Sequence, residues 1–183
     1  MTTMQRGVRT TWAIDPTHAA AEFAVKHLMI STVKGQLGKV QGTISLDESD
    51  YTNSSVEATI DVAGLDTGEP DRDKHLRSPD FFEAERFPII RFVSKRIERA
   101  KGDDYRIVGD LTIRDVTREA TLEAELDGRI TDPWGKERLG FSADTKFRRK
   151  DFGLEWNMAL EAGGVLVGDE VKVSLRLEAV RQD

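Results

Sequence analysis

Long stretches of this chain alternate apolar and polar residues with a period of two. The clearest stretches are residues 56–62, 105–113, 120–130 and 171–179, and weaker ones begin near residues 12, 21, 40, 90 and 139. This period is typical of antiparallel strands with one dry and one solvated face, because a helix repeats every ~3.6 residues instead. The pattern predicts about eight strands, separated by short turn segments rich in Asp, Gly and Pro.

One short segment departs from this pattern. Pro70 suits the first position of a helix, and Asp71 and Asp73 suit its first turn, where the backbone dipoles favour negative charge. These residues predict one helix over residues 70–78. Long strands with almost no helix indicate an all-β sandwich or a barrel, and closure into a barrel removes exposed strand edges.

The composition excludes several classes of function. The chain has no cysteine, so disulfides, thiolate nucleophiles and iron–sulfur clusters are excluded. A formal net charge of −6 argues against a nucleic-acid partner and against electrostatic docking on anionic lipid. No apolar run approaches the ~18–20 residues that span a bilayer, so no integral membrane segment is predicted. The first ten residues lack the apolar region of a signal peptide, and a cytoplasmic location is expected.

Residues with catalytic or metal-binding chemistry form no recognisable motif. His18 and His27 would face opposite sides of one straight strand, and each is either a structural histidine or a contact for a polar head group. Asp71, Asp73 and His75 are two residues apart, a spacing that directs side chains on a helix away from one another. A Gly-x-Ser-x-Gly nucleophile turn is also missing. We therefore predict no catalytic residue, no metal site and no cofactor.

Small residues recur at mid-strand on the dry faces, at Gly42, Ala58, Gly109, Ala124 and Ala143. They either leave volume inside a barrel or accommodate large neighbours such as Phe141 and Trp156. A barrel of ~8 strands is wide enough to hold one small ligand. An apolar interior suits a long hydrophobic chain, because burial of each CH₂ contributes about 0.8 kcal/mol.

A basic run, residues 148–150, follows the stretch that ends near Phe147. The run suits an anionic head group, because a guanidinium binds phosphate through two donors. It equally suits an exposed turn whose charge is balanced by Asp151.

Several segments together give the chain a family resemblance. They are residues 12–18 (WAIDPTH), Phe23 with 25–27, 33–35, 42–44, 75–82 (HLRSPDFF), 87–92 (FPIIRF), 109–117 (GDLTIRDVT), 149–154 (RKDFGL) and 167–171 (VGDEV). In this order they resemble the YceI-like family of lipid-binding barrels, also called polyisoprenoid-binding proteins, over residues 11–181. Ala19 stands where that family often has a serine, and Asp115 where it commonly has a glycine.

The resemblance implies a lipocalin-like, extended antiparallel barrel with an amphiphilic lipid in its pore. The lipid is expected to be a polyisoprenoid, an isoprenoid quinone or a fatty acid derivative. Residues 11–183 are expected to form this single domain, with residues 1–10 as an N-terminal extension. Members of the family are bacterial and often periplasmic or secreted, and members without signals are cytoplasmic, as expected for this chain.

The inward residues of the strands are predicted to contact the lipid tail, with core packing as the alternative. These pore residues are Phe23, Val25, Ile60, Phe92, Ile107, Phe141 and Trp156. Phe81 and Phe82 follow the helix and are predicted to close one end of the pore. His18, His27 and Arg149 are the candidates for the polar head group.

The leading hypothesis is non-enzymatic binding that transports or sequesters a long-chain lipid. One alternative is a hydrolase or isomerase that acts on such a lipid and uses His18 or His27 as a base. Another is an interaction module with a filled barrel that works as a homodimer. A homodimer is also compatible with lipid binding, because open strand edges favour pairing between copies.

Overall fold

The alternating segments form ten strands in the computed structural model, which describes residues 7–161 and 163–182. The strands are β1 (Arg9–Ile14), β2 (Ala20–His27), β3 (Ser31–Gln36), β4 (Val40–Asp47), β5 (Ser55–Asp61), β6 (Ile89–Arg99), β7 (Asp104–Ile113), β8 (Val116–Thr131), β9 (Glu137–Arg148) and β10 (Val167–Arg181). Within the described ranges one α-helix, α1 (Pro70–Arg77), and three short 3₁₀ turns at Pro16–His18, Tyr51–Asn53 and Arg149–Phe152 accompany them.

Eight of the strands form a closed antiparallel barrel. Around the barrel they follow the order β1, β4, β5, β6, β7, β8, β9 and β10. β1 closes the ring, because it pairs with β4 on one side and with the end of β10 on the other, where Trp12 opposes Arg181. The prediction of an all-β barrel with about eight strands and one short helix is confirmed.

The other two strands form a hairpin that extends the barrel wall beside β1. β2 pairs with the first part of β10, where Phe23 opposes Val173. β3 pairs with β2 and reaches the segment after β5 through a single bridge between Gln36 and Asp66. β3 has one buried residue, Gly35, whose hydrogen side chain leaves room for the ring of Phe23. Because one buried residue makes no alternating pattern, β3 gave no strand signal in the sequence.

The predicted alternation holds along β8 until a bulge interrupts it. The register between β8 and β9 shifts between Leu126 and Gly128. A bulge adds one residue and turns every later side chain to the opposite face. Ile130 was expected on the dry face and is instead 66% exposed.

Trp12 lies at the end of the barrel where β1 joins β4 and β10. Its indole is completely buried against Ile44, Leu139 and Ala179. Its indole N–H donates to the hydroxyl of Thr10 at 2.8 Å, which satisfies the buried donor. Across the described residues, no helix has the length and apolar character needed to cross a membrane.

Candidate functional site

Three apolar cavities follow one another along the inside of the barrel. The outer cavity has a volume of about 210 Å³ and is lined by residues of α1, the β2–β3 hairpin and the segment 154–167. The middle cavity, about 90 Å³, is lined mainly by the barrel strands. The far cavity, also about 90 Å³, lies beside the turn Tyr51–Asn53.

Shared side chains separate each cavity from the next. Phe23, Phe82 and Phe147 line both the outer and the middle cavity. Ile107 and Phe141 line both the middle and the far cavity. The three cavities therefore form one row, and a chain that occupied all of them would pass between these side chains.

All seven of the predicted pore residues line this row of cavities. Phe23, Val25 and Trp156 line the outer cavity, Phe23, Ile60, Phe92, Ile107 and Phe141 line the middle cavity, and Ile107 and Phe141 also line the far cavity. Successive residues of a strand alternate between its two faces, and this alternation (the strand parity) directs every second residue to the interior of a closed barrel. The alternating sequence pattern therefore located these pore residues. Their contact with a lipid tail stays a prediction.

Phe81 and Phe82 lie at the outer cavity, after the end of α1. Phe81 packs against His75 and Trp156, with ring centroids 5.1 and 5.6 Å away, and the rings of His75 and Trp156 meet edge to face at 4.6 Å. The amide of Phe82 donates to the carbonyl oxygen of Leu76 at 3.0 Å, which folds this segment back on the helix. His75, Phe81 and Trp156 form an aromatic cluster in the wall of the outer cavity.

The small inward residues divide into two groups. A Cβ atom on Gly109 would lie 2.6 Å from Cζ of Phe92, and one on Gly42 would lie 2.4 Å from the carbonyl oxygen of Glu57. Neighbouring atoms therefore fill the space beside each of these two glycines, and the glycines add no volume to a cavity. The three alanines behave differently and line cavities: Ala58 and Ala143 line the middle cavity and Ala124 lines the far one.

The structure separates the two histidines that were candidates for the head group. His27 is half-buried at the end of β2 and lines the outer cavity, and its ring makes no hydrogen bond with any described residue. His18 lines none of the three cavities. Its side chain is 59% exposed, and Nδ1 lies 2.9 Å from Oδ2 of Asp15.

Arg149 is the third candidate for the head group, and it lies buried beside the outer cavity. Its guanidinium donates to four carbonyl oxygens, those of Leu154, Trp156, Val167 and Gly168, at 2.7 to 3.3 Å. Only one of its five N–H donors is left, so the two-donor contact with an anion that we expected is not available. Burial lowers the pKa of Arg149, because the charged form loses hydration.

Three further basic side chains line the outer cavity and were not predicted as site residues. Lys26 lies on β2, and Arg72 and His75 lie on one face of α1, because residues three apart on a helix are neighbours. Asp73, between them, points elsewhere and accepts hydrogen bonds from the amide and hydroxyl of Thr67. The group Asp71, Asp73 and His75 therefore does not converge on one point, as its spacing indicated.

One group of side chains has the ligand types of a metal site. Oxygen and nitrogen atoms of Asp15, His18 and Glu178 lie within 4.8 Å of one another. The guanidinium of Arg138 contacts both carboxylates, at 3.2 Å from Asp15 and 2.6 Å from Glu178. Hydrogen bonds, above all the one with His18, hold the pKa of Asp15 well below its usual value. The group is an ion-pair network, because Arg138 already supplies the positive charge.

Comparisons with known proteins identify relatives of this chain. Residues 12–179 match the profile of the YceI-like domain. Protein YceI of Escherichia coli is 37% identical over 165 residues, which cover 90% of this chain and 83% of that protein. UPF0312 protein SAS2572 of Staphylococcus aureus is 35% identical over 170 residues, which cover 92% of this chain and 96% of that protein.

Solved structures share the fold. BcnA of Burkholderia cenocepacia has a TM-score of 0.78 at 22% identity, covering 90% of this chain and 98% of that one. The Campylobacter jejuni YCEI protein has a TM-score of 0.71 at 30% identity, covering 86% and 90%. A polyisoprenoid binding domain from Saccharophagus degradans has a TM-score of 0.67 at 14% identity, covering 94% and 99%. At 22% and 14% identity, two of these likenesses show a common fold alone.

Proposed function

The chain belongs to the YceI-like domain family, and from this premise we propose that it binds a long-chain amphiphilic lipid without transforming it. Such binding transports or sequesters the lipid. The row of three apolar cavities inside a closed barrel is the observation that carries this proposal. Each CH₂ of a chain buried there contributes about 0.8 kcal/mol, so affinity arises without any specialised residue.

The proposed ligand is a polyisoprenoid, an isoprenoid quinone or a fatty acid derivative. The tail lies among Ile60, Phe92 and Phe141 in the middle cavity, where the walls are almost entirely apolar. The head group lies at the outer cavity, where His27 and Arg149 are found. The Saccharophagus degradans domain shares this fold and is a polyisoprenoid binding domain, which supports this choice of ligand class.

The lining of the outer cavity favours binding over catalysis. His75 has an acid partner, because Nε2 lies 2.9 Å from Oδ2 of Asp80. His27 has no such partner among the residues that the structure describes, and His18 lies away from the cavity. No hydroxyl or carboxylate side chain occurs among the described residues that line the outer cavity, so neither His27 nor His75 has a nucleophile there to activate. A hydrolase or isomerase is therefore the weaker proposal.

An interaction module with a filled barrel is also less well supported, because the three cavities leave the interior incompletely packed. A homodimer stays a prediction. The edge of β3 that faces away from β2 is the surface most suited to pairing, because only Gln36 of that strand is bridged to another segment, at Asp66. Light scattering during size-exclusion chromatography measures the mass and decides between monomer and dimer.

The positions of the three tryptophans provide a test of the proposal. Trp156 lines the outer cavity, Trp12 is buried where β1 joins β4 and β10, and Trp134 is 82% exposed in the turn between β8 and β9. Fatty acids and isoprenoids that carry bromine on the chain quench only the tryptophans near them. We expect quenching in the parent and in Trp134→Phe, and loss of most of it in Trp156→Phe. Quenching that depends on Trp134 instead would place the lipid outside the barrel and contradict the proposal.

A further inference from the structure

Every polar side chain that lines the outer cavity is basic. Among the described lining residues they are Lys26, His27, Arg72, His75 and Arg149, and the rest are apolar. The protein as a whole has the opposite balance, with 33 Asp and Glu residues against 27 Lys and Arg residues. We propose that the outer cavity selects a lipid with an anionic head group, a phosphate or a carboxylate, and that Lys26 and Arg72 bind this anion. The inference rests on the proposed function and names the chemical class of its ligand.

The basic residues come from three separate parts of the fold and meet at one place. Lys26 and His27 lie at the end of β2, next to the turn of the β2–β3 hairpin. His27 is on the inner face of the strand, and Lys26 is at the outer rim, where it contacts Thr32. Arg72 and His75 lie on one face of α1. Arg149 lies in the turn after β9. Because these elements surround the cavity, an anion at its mouth would be approached by cations from three directions.

The burial of these groups is graded from the surface inwards. Lys26 and Arg72 are exposed, His27 and His75 are half-buried, and Arg149 is buried. The almost entirely apolar walls of the middle cavity begin behind them, at Phe82. This gradient matches an amphiphile that enters tail first, because its charged end then remains at the surface, where desolvation costs least.

The two exposed cations keep donors available for a ligand. Nζ of Lys26 donates to the hydroxyl of Thr32 at 3.1 Å, which leaves two of its three donors. Arg72 donates from Nε and Nη2 to the hydroxyl and carbonyl oxygens of Thr67. In the part of the chain that is described, Nη1 of Arg72 has no hydrogen bond. Both partners are neutral, so neither cation is neutralised by a direct ion pair.

Three acidic residues around the mouth, Asp73, Asp80 and Asp169, engage other residues. Asp80 pairs with His75, and the carboxylate of Asp73 is held by Thr67, although its charge also acts on Arg72. Asp169 pairs with Arg148, at 2.7 Å, and acts on Arg149 only at longer range. The charge of Arg149 is thus solvated by carbonyl oxygens and not by a carboxylate, so it adds a positive potential to the cavity wall.

The test compares lipids that have the same chain and differ only in the charge of the head group. The pairs are farnesyl phosphate with farnesol, and palmitate with hexadecanol, measured by displacement of a fluorescent fatty acid probe. Charge-assisted contacts with two cations should make the anion of a pair bind about tenfold more tightly or better. Added salt should reduce this preference, because the rim cations are exposed to screening.

A double variant tests the two residues named. Lys26→Gln with Arg72→Gln should remove most of the preference for the anion and leave the affinity for the neutral lipid within about twofold, since the apolar walls are unchanged. The matched control is Arg118→Gln with Lys146→Gln, which removes two exposed cations that line none of the three cavities. This control should keep the preference, and circular dichroism verifies the fold of both proteins.

The possible results separate the inference from the proposed function. Equal affinity for the anionic and the neutral lipid in the parent would overturn the inference and leave lipid binding intact. Failure of every lipid to bind would overturn both. Displacement of farnesyl phosphate by inorganic phosphate at similar concentration would also overturn the inference, because the site would then recognise the free anion without the chain.

Discussion

The guanidinium of Arg149 donates a hydrogen bond to the carbonyl oxygen of Trp156, with Nη1 2.9 Å from that oxygen. The same group also holds the carbonyl oxygens of Leu154, Val167 and Gly168. Leu154, Trp156, Leu166 and Val167 line the outer cavity, and the first three of them lie outside the named strands. One buried side chain therefore supplies hydrogen bonds that elsewhere in this protein come from neighbouring strands.

Arg149→Met should destabilise the protein by about 2–4 kcal/mol, because several buried carbonyl oxygens lose their partner at once. Urea unfolding followed by circular dichroism measures this change. Arg148→Met is the matched control, since Arg148 is largely exposed and pairs only with Asp169 at the surface. The control should unfold close to the parent. Equal midpoints for the two variants would contradict the stabilising role of Arg149.

Ala143→Phe should weaken lipid binding while the barrel stays folded. Ala143 lines the middle cavity, so a phenyl ring there occupies space that the tail would need. Loss of room for two CH₂ groups already corresponds to about 1.6 kcal/mol, or roughly tenfold in affinity. Probe displacement measures the affinity, and the thermal transition reports the fold.

Ala24→Phe is the control for this substitution, because Ala24 lies on the outer face of β2 and lines none of the three cavities. It should bind lipid as the parent does. If a folded Ala143→Phe protein also bound lipid unchanged, the tail would not occupy the middle cavity.

Asp132→Asn should lower stability at neutral pH and have less effect in acid. Hydrogen bonds from Arg138, at 2.7 Å, and from the amides of Lys136 and Trp134 lower the pKa of Asp132. A carboxyl with a depressed pKa in the folded state stabilises that state above its unfolded pKa of about 3.9, and this stabilisation is lost as the pH falls through the folded value.

Melting temperatures of the parent and Asp132→Asn, recorded from neutral to acidic pH, should therefore converge as the pH falls below about 3.9. Asp127→Asn serves as the control, because Asp127 lies on the same strand-and-turn segment and its carboxylate accepts only a long, exposed hydrogen bond from Ser142. If the melting temperatures of the parent and Asp132→Asn differed by the same amount at every pH, the ionised carboxylate would be excluded as the cause of the difference.

Much of the fold could be predicted from sequence because strand parity is a local property. Trp12 and Phe92 lie inside the barrel, as their parity indicated. The prediction was wrong where a bulge changes parity, as at Ile130, and incomplete where a strand has a single inward residue, as in β3 with Gly35. Neither a bulge nor a glycine that accommodates Phe23 leaves a periodic signal.

The apolar part of the candidate site could also be predicted from parity, whereas its polar rim could not. Lys26, Arg72 and Arg149 are far apart in sequence and meet only because the barrel closes and α1 lies over its end. Parity likewise could not distinguish Gly109, which is covered by Phe92, from Ala143, which lines a cavity. That difference depends on how close the neighbouring side chains approach.

The proposed function requires that a long-chain lipid occupies the barrel. Native mass spectrometry of the protein purified from its own host, followed by organic extraction and identification of what is released, detects such a lipid. We expect a bound long-chain lipid in stoichiometric amount, with an anionic head group. A mass equal to that of the polypeptide alone, together with no uptake of added isoprenoids or fatty acids, would contradict it.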